Sequence, residues 1–137
     1  MEPEPVHILL VEDSAGDTLL MQQVLANCPV AFKLHVARDG EQALQMLADP
    51  NLNLDLIILD LNLPRITGLG VLERYHPKDI PVVVFTVSWR QTDREFALAL
   101  GASEYIRKPS DLQPFTDAVC GIINKWARRK GIGALVS

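Results

Sequence analysis

Residues 55–68 read DLIILDLNLPRITG. An apolar run, Leu56 to Leu59, stands behind Asp55 and meets a carboxylate, Asp60. Asn62, Pro64 and Gly68 follow within eight positions. A run rich in Ile and Leu, bounded by turn residues, fits a strand buried on both faces. By itself the ending is a polar strand end and a loop. The alternative is an acid held at the rim of a sheet to do chemistry, and the flanking sequence distinguishes the two.

Working outward, similar short runs recur: VHILLV (6–11), FKLHVA (32–37), LDLIIL (54–59), PVVVF (81–85) and SEYIR (103–107). Longer segments with helical spacing separate them. This alternation predicts five βα units on a parallel sheet with helices on both faces. FKLHVA alternates apolar and polar residues, as an edge strand would. Ser14 with Asp17, Asp39 with Gln42, and Ser110 with Gln113 fit capping boxes for helices one, two and five. Helices two, three and four are predicted over about 40–48, 66–75 and 89–100, the last closed by Gly101. Leu112, Phe115, Val119, Ile122, Ile123 and Trp126 form the expected core stripe of helix five.

The bulk properties fit one globular domain. The chain has 137 residues, 48% hydrophobic and 22% charged, enough to bury roughly two-thirds of its unfolded surface. No apolar run approaches the ~20 residues that span a bilayer, and MEPEPVHILL does not read as a secretion signal. A cytoplasmic protein without membrane contact is expected. The formal net charge of -4 argues against a broad nucleic-acid face. KWARRKG fits the basic end of a helix. Cys28 and Cys120, the only cysteines, lack metal-ligand spacing and are expected as two free, mostly buried thiols.

In an open parallel sheet, ligands bind beyond the carboxyl ends of the strands. Strand one ends in Glu12 and Asp13, strand three in Asp60, strand four in Thr86, and strand five in Lys108. Each residue alone is an ordinary strand-end polar group; their convergence is the signal. Crowded carboxylates repel, and a hard divalent cation relieves them. Glu12, Asp13 and Asp60, with the backbone carbonyl of Asn62, offer the oxygen ligands that Mg²⁺ (or Mn²⁺) takes. Asp60, between the acid pair and the Thr86–Lys108 side, is then the candidate nucleophile toward phosphorus, forming an acyl phosphate. Lys108 would pair with phosphoryl oxygens or with free Asp60, and Thr86 would hydrogen-bond one phosphoryl oxygen. Pro109 stiffens the turn after Lys108, where a cis peptide is expected to fit.

VED (11–13), ILDLNLP (58–64) with Gly68, VFT (84–86) and YIRKP (105–109) come in an order and near-spacing that resembles the receiver domain of two-component response regulators. The resemblance runs over about residues 6–126. It implies the flavodoxin-like/CheY-like (βα)5 fold, with a receiver over 6–129 between tails at 1–5 and 130–137. It implies that Asp60 accepts a phosphoryl group from a phosphohistidine on a sensor histidine kinase, with Mg²⁺ held by Glu12, Asp13, Asp60 and the Asn62 carbonyl. It also implies a switch in which Thr86 moves toward the phosphoryl group, Tyr105 rotates inward, and the α4-β5-α5 surface changes. Modest self-dephosphorylation would follow. EDSAGD and ILDLNLPR resemble the stand-alone receivers partnered with bacterial phytochromes. A homodimer through α4-β5-α5 or through the C-terminal helix near Trp126 is a further expectation.

Two positions and the length of one segment depart from the family pattern. Val87 replaces a small residue and is expected to crowd the phosphoryl site. Thr67 stands where aspartate is common, and the segment from Gly68 to Thr86 is short, so helix three is expected to be clipped. Other classes remain. In a Mg²⁺-dependent aspartyl phosphatase of the haloacid-dehalogenase type, a further acid would protonate the leaving group; Asn62 stands in its place. A pseudo-receiver would lack the acids, Thr86 or Lys108. A flavodoxin-like cofactor binder would cradle phosphate after strand one, where VEDSAGD repels it. No effector domain is expected after helix five, so the output would be a protein–protein contact.

Overall fold

The apolar runs form strands at nearly the expected positions. In the computed structural model, which describes residues 4–75 and 79–127, the elements are β1 (Val6–Val11), α1 (Ala15–Ala26), β2 (Phe32–Ala37), α2 (Gly40–Leu47), β3 (Leu56–Leu59), α3 (Gly68–Arg74), β4 (Val82–Thr86), α4 (Gln91–Ala99), β5 (Glu104–Arg107) and α5 (Leu112–Trp126). All neighbouring strands pair in parallel, in the order β2-β1-β3-β4-β5. β1 therefore lies beside β3, and β4 beside β5, so the strands ending in Glu12, Asp60, Thr86 and Lys108 are consecutive. FKLHVA is an edge strand, as its alternation requires.

Pleating divides the strand residues between two cores. Ile8, Leu10, Leu56, Ile58, Val83 and Phe85 pack with Met21, Val24 and Leu25 of α1 and with Phe115, Val119, Ile122 and Ile123 of α5. Leu9, Val11, Ile57, Leu59, Val82 and Val84 pack on the opposite face with Ala43, Val71, Leu72 and Ala97 from α2, α3 and α4. Burial on both faces is why the central strands carry no polar alternation.

The helix starts test the caps one by one. Ser14 and Asp39 cap α1 and α2 as expected, accepting from the backbone N–H of Asp17 (3.2 Å) and Gln42 (2.7 Å). The cap of α5 is Asp111, not Ser110, and its side chain makes no capping bond. Gln113 reaches forward to Asp117 instead of back to a cap (2.9 Å). α3 starts at Gly68 rather than 66 because Thr67 caps it, its hydroxyl accepting from Gly70 N–H at 3.1 Å. That gives the threonine in the aspartate position a structural role, and α3 is indeed short, at seven residues. α4 ends where Gly101 adopts φ 110°, a left-handed conformation that favours glycine. The core stripe of α5 begins at Phe115; Leu112 is exposed. The C-terminal tail, most of the basic run after Trp126 and the first three residues lie outside the described residues.

Candidate phosphoryl-acceptor site

Asp60 leaves β3 with its backbone N–H bonded to Val11 O (3.0 Å), so the ladder fixes it opposite the end of β1. The residue is 5% exposed, and both carboxylate oxygens are occupied. Oδ1 accepts from the Thr86 hydroxyl at 2.8 Å and from the Asn62 N–H at 3.2 Å. Oδ2 accepts from the Lys108 ammonium at 3.1 Å. The loop after Asp60 folds back tightly. Gly68 sits where a Cβ would stand 2.4 Å from Asp60 O and 2.7 Å from Leu61 Cα, so α3 can begin there only from glycine. Arg65, at φ 67°, is left-handed without being glycine. Its guanidinium reaches Asp39 (3.6 Å) and Glu41 (3.3 Å) at the start of α2, holding the turn.

Glu12 is 3% exposed and Asp13 is exposed. Ligand oxygens of Glu12, Asp13 and Asp60 lie within 4.8 Å of one another. This all-oxygen donor set suits a hard divalent cation. Burial, first, and the nearby Asp60 charge push the Glu12 carboxyl up to about 7, against the opposing pull of Lys108. Lys108 itself is nearly buried. Burial alone would lower its pKa, but bonds to Glu12 and Asp17 and the charge of Asp60 hold it above the usual lysine range.

The sequence places Asp17 in the α1 cap and in the EDSAGD stretch. Its backbone N–H does serve the cap, yet its carboxylate turns away and accepts from Lys108 at 2.9 Å. The Ser14 N–H donates to Glu12 at 3.2 Å. The ammonium thus uses its three donors on Glu12, Asp17 and Asp60. The acid at the fourth position after Asp13 was the available signal.

Thr86 is fully buried, and its backbone carbonyl accepts from Lys108 N–H at 2.7 Å, carrying the β4–β5 ladder into the site. The Lys108–Pro109 bond is trans; no peptide bond among the described residues is cis. The expectation of a cis bond is therefore corrected. Trans is the lower-energy X–Pro form, and the ladder delivers Lys108 without a reversal there. Tyr105 is half-buried, with its hydroxyl donating to Ser88 O at 3.0 Å. Val87 is 55% exposed and, with Asp17, Lys108 and Leu112, lines a cavity of about 310 Å³ beside the ammonium. Trp126 is half-buried and donates to Glu104 of β5 at 2.9 Å.

Residues 8–120 match the model of the response regulator receiver domain. The chain belongs to this family. The receiver is 38% identical over 133 residues to the response regulator Rcp1 of Synechocystis sp. (strain ATCC 27184 / PCC 6803 / Kazusa), covering 89% of each chain. It is similar to the phosphorylated cyanobacterial phytochrome response regulator RcpA, with TM-score 0.83 and 34% identity over 90% of this chain and 95% of that one. The Mn²⁺-bound form of Rcp1 matches with TM-score 0.80 and 35% identity, covering 89% of this receiver and 94% of Rcp1. The five-stranded CheY-like fold is shared with these structures. Among the described residues of the receiver, no helix is long and apolar enough to cross a membrane.

Proposed function

We propose that Asp60 accepts a phosphoryl group from the phosphohistidine of a sensor histidine kinase. The observation that carries this is the placement of Asp60: a buried carboxylate gripped by the Thr86 hydroxyl and the Lys108 ammonium, beside the Glu12–Asp13 pair. An Asp60 carboxylate oxygen forms a bond to phosphorus as the P–N bond breaks, and the imidazole leaves and takes a proton. Lys108 moves one donor from the Asp60 carboxylate to a phosphoryl oxygen, and Thr86 releases Oδ1 to donate to another. Mg²⁺, or Mn²⁺ as in the Rcp1 structure, held by Glu12, Asp13, Asp60 and the Asn62 carbonyl, would neutralise charge on the transferring group.

Thr86 and Tyr105 form the switch. The Ser88 N–H lies 3.4 Å from Thr86 Oγ1, and Ser88 O accepts from Tyr105. Movement of the Thr86 hydroxyl toward phosphate therefore pulls on the segment that holds the tyrosine ring. The resulting change reaches the α4-β5-α5 surface, where a partner or a second copy would sense it. Similarity to Rcp1 and RcpA supports a bacterial phytochrome as the kinase. Modest self-dephosphorylation fits the same site: water attacks phosphorus as the P–O bond to Asp60 breaks, releasing inorganic phosphate and returning the carboxylate.

The test is labelling by acetyl phosphate with Mg²⁺. Asp60→Asn keeps the Oδ1 acceptor for Thr86 but removes the nucleophile, and labelling is expected to vanish while the fold remains. Labelling that persists in Asp60→Asn would move the acceptor to another side chain.

A further inference from the structure

We propose that Cys28 and Cys120 form a reversible intramolecular thiol–disulfide site that ties the end of α1 to α5. The two sulfurs are separated by 92 positions in sequence and lie 3.0 Å apart. Both residues are half-buried, so the pair is neither sealed in the core nor free at the surface. The fold places them there for a reason unrelated to the phosphoryl site. Cys28 follows the C-cap of α1, with its N–H on Leu25 O and its thiol 3.4 Å from Val24 O. Cys120 packs against the core that α1 and α5 share. The α1–β2 connection delivers β2 at the amino end of the strands, whereas Asp60 lies at the carboxyl end.

A hydroperoxide is the oxidant class this pair would meet. The Cys120 thiolate attacks one peroxide oxygen, giving a sulfenic acid and releasing the alcohol or water. The Cys28 sulfur then attacks the Cys120 sulfur. The S–S bond forms, hydroxide leaves, and the Cys28 proton converts it to water. Two thiols and one hydroperoxide yield one disulfide, one alcohol (or water) and one water. Burial, and then the neighbouring Cys120 sulfur, push the Cys28 thiol up to about 12; the same disulfide and the same products form with the two sulfurs exchanged. The bond would close a loop of this length across two helices on one sheet face and stiffen α5, which borders the proposed output surface.

Treating the full-length chain with hydrogen peroxide, then alkylating with N-ethylmaleimide, reads this directly. Intact mass is expected to fall by about 2 Da with no alkylation. Peptide mapping should join Cys28 to Cys120, and Tm should rise by roughly 5–10 °C, reversed by dithiothreitol. Cys28→Ser and Cys120→Ser should each abolish the monomeric mass loss. Two alkylatable thiols after oxidation, bridges between chains, or gains of about 32 Da per thiol as sulfinic acid would each overturn the proposal. None of these readouts depends on whether Asp60 is the phosphoryl acceptor.

Discussion

Replacing Lys108 by methionine should expose what the buried ammonium contributes. In the receiver, Lys108 faces three carboxylates, but they are not equal. Asp17 is 41% exposed, so water screens its pair, and it contributes little to stability. The side chains of Glu12 and Asp60 are 3% and 7% exposed. Removing one partner of a buried ion pair costs roughly 3–5 kcal/mol, because the other charge is stranded. Here part of that cost is avoidable. Glu12 already sits near pKa 7, so without Lys108 it takes up a proton near neutral pH at small cost. Asp60 then carries most of the penalty. The expected loss is about 2–3 kcal/mol at pH 7.5, and smaller at pH 5.5 by the minor Glu12 share, since Glu12 is neutral there in both proteins. Urea denaturation at the two pH values, with and without Mg²⁺, measures it. Divalent cation should return more stability to Lys108→Met than to the parent, since it replaces the missing positive charge. A loss below about 1 kcal/mol, or one that does not change with pH, would refute the placement of Lys108 as the counter-ion of a buried acid pair.

Further outcomes follow from the same geometry. Mn²⁺ affinity should fall about tenfold per pH unit below 7, because Glu12 must lose its proton to act as a ligand; titration calorimetry between pH 5.5 and 8 checks this. The metal-free protein should move the other way. A carboxyl raised from 4.5 to about 7 on folding contributes stability that is complete below 4.5 and lost as pH rises through 7. Gly68→Ala should cost about 2–3 kcal/mol and depress acetyl phosphate labelling, since its Cβ would meet Asp60 O. Gly121→Ala, where a Cβ meets nothing within 4 Å, should instead gain about 0.5–1 kcal/mol. Asp17→Asn should leave the α1 cap intact, because that bond uses the backbone N–H, and change stability by less than about 1 kcal/mol. It should tighten beryllofluoride binding about threefold by freeing one Lys108 donor; weaker or unchanged binding would show that Asp17 does not compete for the ammonium.

The sequence by itself determined the strands, the fold class and the identities at the carboxyl end of the sheet. Those features are local: a run of branched apolar residues states its own burial, and a strand-end acid states its own position. It also carried Ser14, Asp39 and Gly101, because caps act within one helical turn. It did not carry Asp17 as a partner of Lys108, since 91 residues separate them and each already had a sufficient local explanation. The same holds for the cysteines, for the trans bond before Pro109, and for Arg65 in the left-handed region. Thr67 departs from the family pattern in sequence, and in the fold it caps α3 through the Gly70 N–H. Only the tertiary structure chose among these, because side-chain orientation and charge pairing depend on which loops the β2-β1-β3-β4-β5 order brings within a few ångströms of one another.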